Sequence, residues 1–166
     1  MSAHSRRQVK MFNCALGSEE QPEVKMTIPI VNGVVRHGLT RIDQGEHDES
    51  IMSFNVPMKV GDKLMDAENL EKLDYIKCDV EGYEQFVIPS LDATIEKFKP
   101  LFQIELGGKE NRQNVVEYLV KKGYQLFILD GDLLNPIQKN DIFRLNQDFY
   151  FIHTDKLAEN AHLIRK

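Results

Sequence analysis

The chain has 166 residues, of which 42% are hydrophobic and 28% charged, and its formal net charge is -5. This length suits one domain with its own core, and the composition excludes a disordered chain. The basic residues are scattered, so we expect no nucleic-acid partner. No apolar stretch approaches the roughly 20 residues that cross a bilayer, and residues 1–8 lack the apolar core of a signal peptide. We therefore expect a cytoplasmic protein without a membrane partner.

The first half of the chain has the pattern of β-strands. Alternating or apolar runs predict strands at residues 9–16, 24–31 and 51–60. Pro29 lies inside the second run, which places that strand at a sheet edge or in a β-hairpin. The polar segment 32–50 is predicted to be a mobile loop, and residues 66–72 are predicted to form a short helix.

The second half alternates between strands and helices. Strands are predicted at residues 73–80, 101–106, 124–129 and 149–153, and helices at 86–98 and 110–122. Pro89 is expected to begin a fresh helical turn. The β-α-β-α-β order indicates a parallel sheet with crossover helices, and the last strand should pair antiparallel because a long polar connection, 130–148, precedes it. The tail from residue 154 is expected to be peripheral.

Residues 75–84 are the most informative stretch, because a short apolar run ends there in three carboxylates around one glycine. Side chains alternate along a strand, so Lys77 and Asp79 should share one face. Asp79 and Glu105 both fall at the carboxyl ends of predicted parallel strands, where ligands bind in open sheets. Gly82 indicates a tight turn or a close approach of the backbone. The pattern predicts a ligand-binding edge.

Two other interpretations of these charges stay open. In the first, Lys77 neutralises Asp79 or Glu105 in a structural ion network. In the second, Asp79, Glu81 and Glu105 bind a divalent metal, since carboxylate oxygens suit magnesium and calcium. The two cysteines, Cys14 and Cys78, have no zinc-site spacing and are expected to be reduced thiols.

The segment 73–84, Leu-Asp-Tyr-Ile-Lys-Cys-Asp-Val-Glu-Gly-Tyr-Glu, resembles the signature of FkbM-family methyltransferases. In that family the signature is followed by a helix, a proline and a strand ending in Glu, which Pro100 and Glu105 resemble here. Residues 12–17 are similar to the family's third strand, and 123–127 to a late strand. The resemblance covers roughly residues 9 to 153.

The resemblance implies a Rossmann-like class I methyltransferase sheet, mostly parallel, with an antiparallel last strand and an inserted β-hairpin. It implies that S-adenosylmethionine is the cofactor and that the methyl group goes to a hydroxyl oxygen of a small metabolite or sugar. The site residues follow by position. Asp79, Glu81 and Glu105 would be catalytic, Lys77 and Glu84 would bind the acceptor, and Leu16, Gly17, Ser18 and Asp79 would bind the cofactor.

One part of the family pattern is missing from this sequence. The family's first strand ends in a glycine-rich turn that approaches the cofactor, and no strand–Gly-x-Gly–helix unit is present here. Residues 1–166 therefore resemble the C-terminal part of the fold, as a single domain that is shortened. Three hypotheses stay open: an O-methyltransferase, a non-catalytic truncated domain that acts through homo-oligomerisation or a partner chain, and a metal- or ligand-binding domain.

Overall fold

The computed structural model describes residues 9–45 and 50–165. In this part the chain is a mixed α/β protein with two five-stranded β-sheets. The α/β class is confirmed. The predictions for residues 1–8, and for residues 46–49 of the polar loop, lie outside the described residues. Within the described ranges, no helix has the length and apolarity needed to span a bilayer.

The first sheet comes from the N-terminal part of the chain. Its strands are β1 (Ala15–Gly17), β2 (Gln21–Val31), β3 (Val34–Val35), β4 (Arg41–Ile42) and β5 (Ile51–Val60). β2 and β5 pair antiparallel, and β1 lies parallel to β5 at the edge. The expected β-hairpin is formed by β2 and β3, which are joined by Asn32 and Gly33. The predicted loop 32–50 contains β3, a 3₁₀ turn at His37–Leu39, and β4. It therefore carries regular structure that its polar composition did not indicate.

Pro29 does not mark an edge strand, because β2 lies between β5 on one side and β3 and β4 on the other. β4 pairs with Met26 and Thr27, and β3 pairs with Ile30 and Val31. Pro29 falls in the gap between these two short pairings. A residue without a backbone N–H can occupy an inner strand at such a gap, since no ladder hydrogen bond is lost on that side.

The second sheet comes from the rest of the chain. Its strands are β6 (Tyr75–Cys78), β7 (Leu101–Ile104), β8 (Tyr124–Asp130), β9 (Leu133–Pro136) and β10 (Phe149–His153), in the spatial order β6-β7-β10-β8-β9. β6 and β7 are parallel, and β10 is antiparallel to both β7 and β8. The antiparallel last strand is thus confirmed. The expectation of a mostly parallel sheet is wrong, because β10 separates β7 from β8 and β9 adds a hairpin to β8.

The α-helices in the described ranges are α1 (Gly61–Ala67), α2 (Glu84–Val87), α3 (Asp92–Phe98) and α4 (Lys109–Lys121). The predicted helix 86–98 is divided into α2, a 3₁₀ turn that begins at Pro89, and α3, so the fresh turn at Pro89 is confirmed. α1 begins earlier than the predicted 66–72. Its first residue, Gly61, is buried against Leu91 and donates its N–H to the Ser90 hydroxyl at 3.2 Å.

The main hydrophobic core lies between the second sheet and its helices. Phe102, Ile104, Phe149 and Phe151 supply side chains from the sheet, and Leu119 packs on them from α4. Each of these residues is at most 1% exposed. Burying such a side chain stabilises the fold by roughly 1.5–3 kcal/mol. The core therefore holds β7 and β10 in a fixed relation to α4.

The C-terminal tail lies at the surface of the described structure, as expected, but it is anchored there. Leu163 and Ile164 pack against a second cluster that contains Phe127 and Ile152. Ile164 also forms a parallel bridge with Leu134. The predicted polar connection 130–148 contains β9 and a 3₁₀ segment at Lys139–Arg144. Short apolar contacts of this kind have no periodicity long enough to be recognised in a sequence.

Candidate functional site

An open cleft of about 660 Å³ lies at the carboxyl ends of β6 and β7. Neighbouring parallel strands end at the same edge of a sheet, so the loops that follow them form its walls. The cleft is lined by Arg41, Gln44, Asp79, Glu81, Gly82, Glu84, Glu105, Gly107, Gly108 and Asn111. The three predicted catalytic residues, Asp79, Glu81 and Glu105, therefore meet in one cavity.

Asp79 forms an ion pair with Lys77 across one face of the strand end. The Lys77 Nζ lies 2.8 Å from the Asp79 Oδ2, and both side chains are partly exposed. The hydrogen bond and the charge of Asp79 raise the pKa of Lys77 above its ordinary value. Lys77 does not line the cleft, although it was predicted to bind substrate, and lies instead beside an adjacent apolar pocket. It is placed to balance the charge of Asp79.

Glu81 combines an unusual backbone with an unusual charge environment. Its φ of 54° is in the left-handed region, which residues other than glycine rarely adopt. Gly82 follows with a φ of 93°. Burial raises the pKa of the Glu81 carboxyl, and the charges of Asp79, Glu105 and Glu84 raise it further, while Arg41 lowers it. The sharp turn therefore aims a carboxyl group with a raised pKa into the cleft.

Glu84 lies beneath the loop after β6 and is only 1% exposed. Its Oε1 accepts hydrogen bonds from the N–H of Val80 at 3.0 Å and of Gly82 at 3.3 Å. Its Oε2 accepts from the Asn111 Nδ2 at 2.6 Å. These three donors occupy the carboxylate, so the contacts found are structural ones. The prediction that Glu84 binds the acceptor is untested, and these contacts do not favour it.

Glu105 and the two glycines after β7 form the opposite wall. The Glu105 N–H donates to the Cys78 carbonyl at 3.1 Å, which continues the β6–β7 pairing by one residue. Glu105 itself is exposed. Gly108 has a φ of 67° and a ψ of 149° and precedes the first turn of α4. This conformation is nearly restricted to glycine and leaves the rim without a side chain.

The structure brings two residues into the cleft that the sequence did not indicate. Arg41 is at the start of β4, in the segment predicted to be a mobile loop. Asn111 is in the first turn of α4 and is 5% exposed. Neither belongs to a motif, and both reach the cleft by tertiary packing. The sequence places an amide side chain in the first turn of a predicted helix, but the burial that makes Asn111 unusual is visible only in the structure.

The predicted cofactor residues do not share one cavity. Leu16 and Asp79 both line an apolar pocket of about 220 Å³ that adjoins the cleft. Gly17 is buried instead against Met58, where an added Cβ would lie 2.4 Å from the sulfur. Ser18 is exposed and lines neither the cleft nor this pocket. Asp79 is thus the residue that connects the two cavities.

The carboxylates do not form a metal site in the described part of the chain. No group of three or more His, Cys, Asp or Glu side chains there is arranged to hold a metal ion. What the cleft offers is an acidic surface with a single cationic side chain, Arg41, among its lining residues. Such a surface suits a ligand that carries positive charge.

Comparison with known proteins gives one match. A family model described as the Methyltransferase FkbM domain matches residues 4–126. This range includes the first sheet, the loop after β6, Glu105 and Asn111. No curated protein and no solved structure matches the chain.

Proposed function

Because the chain belongs to the FkbM methyltransferase domain family, we propose that it transfers a methyl group from S-adenosylmethionine to a hydroxyl oxygen of a small metabolite or sugar. Membership of the family indicates methyl transfer in general. The observation that supports a reaction at this place is the meeting of Asp79, Glu81 and Glu105 in one open cleft at the ends of parallel strands.

The residues of the cleft fit the cofactor's charged end. S-adenosylmethionine supplies a methyl group on a positively charged sulfur and also carries an ammonium group. Four carboxylates line the cavity, those of Asp79, Glu81, Glu84 and Glu105, and carboxylates favour a cationic ligand. Asp79 borders both the acidic cleft and the apolar pocket beside Leu16, so it is the proposed contact to the cofactor. The four strands β6, β7, β10 and β8 are the proposed Rossmann-like part of the fold.

Glu81 is the proposed general base. A base is most effective when its pKa is close to the working pH, and the pKa of Glu81 is raised by burial and by the neighbouring carboxylates. The other two predicted catalytic carboxylates are less suited to this role, because Asp79 is paired with Lys77 at 2.8 Å and Glu105 is exposed. With S-adenosylmethionine bound, Glu81 would take the acceptor's hydroxyl proton while the oxygen bonds to the methyl carbon. The sulfur–methyl bond would break in the same step, and its electron pair would stay on the sulfur of the departing neutral thioether. The open rim at Gly107 and Gly108 gives the acceptor room.

Calorimetry and methyl transfer test this proposal. S-adenosylmethionine is titrated into the full chain, and transfer of a labelled methyl group is followed with a panel of sugars and other hydroxylated metabolites. Glu81→Gln should retain cofactor binding and lose transfer by about 100-fold or more, the range of general-base catalysis. Glu117→Gln, an exposed acid on α4 outside the cleft, is the control. Absence of binding at millimolar cofactor rejects the chain as a working methyltransferase on its own.

A reducing, cytoplasmic location is proposed on chemical grounds. Cys14 and Cys78 are both free thiols. Burial raises the pKa of the Cys78 thiol to about 12, so it is unreactive near neutral pH. Free, buried cysteines are typical of proteins in reducing compartments. The two free thiols therefore support the proposed cytoplasmic location and say nothing about the reaction.

A second candidate is a domain that works with another chain. The observation that favours it is β6, which pairs with β7 on one side and with no other strand in the described residues. An open edge can add a strand from a partner or from a second copy. Size-exclusion chromatography with light scattering distinguishes the candidates, because edge pairing requires a dimer or a complex. A strict monomer that binds cofactor contradicts this second candidate.

A further inference from the structure

The buried carboxylate of Glu84 ties the acidic loop to its own helix. Its Oε1 receives two backbone N–H groups of the loop, those of Val80 and Gly82, at 3.0 and 3.3 Å. Glu84 is the first residue of α2. Backbone N–H groups that converge on one oxygen form a strong anion-binding arrangement. Here the anion belongs to the chain itself, and the loop closes around it.

Asn111 extends this link to the other wall of the cleft. Its Nδ2 donates to the Glu84 Oε2 at 2.6 Å and to the Gly107 carbonyl at 3.0 Å. Its Oδ1 accepts the N–H of Gln85 at 2.9 Å. One buried amide therefore connects the loop after β6, the turn after β7, and the starts of α2 and α4. A fully satisfied polar network of this kind fixes geometry more than it adds stability.

The loop between these anchors is strained. Glu81 has a φ of 54° and Gly82 a φ of 93°, and the hydrogen bonds to Glu84 flank them at Val80 and Gly82. A non-glycine residue persists in this conformation only where its surroundings hold it. If the anchors were released, Glu81 could turn to ordinary backbone angles. Its carboxyl group would then leave its place opposite Glu105.

We propose that Glu84 and Asn111 form a positioning clamp, which holds Asp79 and Glu81 on one wall of the cleft in register with Glu105 on the other. Neither residue is a catalytic residue in this proposal, because both act through the loop that they bind. The catalytic part of the inference rests on the proposed methyl transfer. The mechanical part, which concerns the order of the loop, does not depend on any reaction.

The experiment compares two variants at Asn111 with a control on the same helix. Asn111→Ala removes the amide, and Asn111→Asp keeps its shape but sets a second carboxylate against Glu84. Asn114→Ala is the control, since Asn114 is exposed one turn further and donates to the Gln85 side chain instead of to the loop. Backbone amide exchange by NMR gives protection factors for Val80 and Gly82, with Val115 and Val116 as reference amides in α4.

Asn111→Ala should lower the protection of Val80 and Gly82 by about tenfold or more and leave the α4 amides unchanged. Asn111→Asp should lose the same protection, because an acceptor of like charge replaces the amide that donates to the Glu84 Oε2. In methyl transfer, Asn111→Ala should reduce kcat by about 10- to 100-fold, the usual cost of misplaced groups. The KM for S-adenosylmethionine should change less than kcat, because Lys77 still holds Asp79, the proposed cofactor contact, when the clamp on Glu81 is lost.

The outcomes separate the two parts of the inference. Unchanged protection of Val80 and Gly82 in both variants overturns the clamp, and so does an equal loss at every amide, which marks Asn111 as a general stability residue. Reduced protection with an unchanged kcat overturns the catalytic part. If the unmodified chain transfers no methyl group to any acceptor, the proposed function fails, while the protection factors still decide the clamp.

Discussion

The Lys77 ammonium and the Asp79 carboxylate lie 2.8 Å apart on one face of the sheet edge, at the point where β6 enters the cleft. The strand alternation places both side chains on that face, with Cys78 buried on the other. The pair could be a structural ion network or a charge balance for a binding site. Both partners are substantially exposed, which favours the second, because exposed ion pairs contribute little to folding.

Replacing Lys77 tests this directly. Lys77→Met should change the midpoint of thermal unfolding by less than about 2 °C, because the lost pair is solvated. Lys72→Met is the matched control, since Lys72 forms an equally short pair with Asp74 at 2.8 Å outside the cleft. Differential scanning calorimetry measures both variants. If the midpoint of thermal unfolding falls much further for Lys77→Met than for Lys72→Met, the Lys77–Asp79 pair is a structural ion network after all.

Substitution of Glu81 by glycine should stabilise the fold. The left-handed φ of 54° costs a residue with a side chain about 1 kcal/mol, and glycine adopts it freely. Glu81→Gly should therefore unfold at higher urea concentration than Glu81→Ala, by about 1 kcal/mol in free energy of unfolding. The alanine variant removes the same carboxyl group but keeps the strain. Equal stabilities would mean that the loop relaxes its backbone in both variants.

The pH dependence of stability should differ between the native chain and Glu81→Gln. The pKa of Glu81 is raised in the folded state, so the folded chain binds this proton more tightly than the unfolded chain. Its contribution to stability therefore falls as pH rises from the ordinary glutamate pKa through the raised value. Glu81→Gln removes that loss and should be more stable at pH 7, by about 0.5 kcal/mol.

Chemical unfolding at pH 4 and pH 7 measures this difference. The advantage of Glu81→Gln should shrink at the lower pH, where the native carboxyl group is protonated and uncharged. Glu110→Gln, an exposed residue in the first turn of α4 that does not line the cleft, supplies the control. A gain that is equal at both pH values would contradict the raised pKa of Glu81.

The sequence predicted the acidic wall of the site well because that wall is encoded locally. The alternation along β6 places Cys78 inward, and Asp79 and Glu105 follow neighbouring strands, so their meeting follows from strand direction. The role of Glu84 could not be predicted in this way. Its partner Asn111 is distant in sequence, and only the packing of α4 against α2 brings the two together.

The fold shows the same division between local and distant information. β10 matches its predicted range of residues because a compact apolar run defines it. β3, β4 and β9 have two to four residues each and were missed, since so few residues carry no periodicity. The order β7-β10-β8 also depends on which strand inserts between the others, which is a property of the whole sheet.

The position of α1 depends on hydrogen bonds between Asp62 and residues of α3 that are distant from it in sequence. The Asp62 carboxylate accepts the N–H groups of Ala93 and Thr94, each at 2.8 Å, and the Thr94 hydroxyl at 2.6 Å. A side chain of α1 therefore caps the first turn of α3, where free N–H groups need an acceptor. Thr94 is 4% exposed, so its donors would stay buried without a partner if Asp62 were removed.

Asp62→Ala should destabilise the fold by about 1–2 kcal/mol, the usual effect of losing a helix cap. Asp62→Asn should lower the free energy of unfolding by less, because its amide oxygen can still accept a hydrogen bond from one of the N–H groups. Asp66→Ala, an exposed position on the same helix, controls for the change in helix propensity. Urea unfolding followed by circular dichroism measures all three variants. If Asp62→Ala and Asp66→Ala cost the same, the cap does not hold α1 against α3, and the early start of α1 depends on the burial of Gly61 alone.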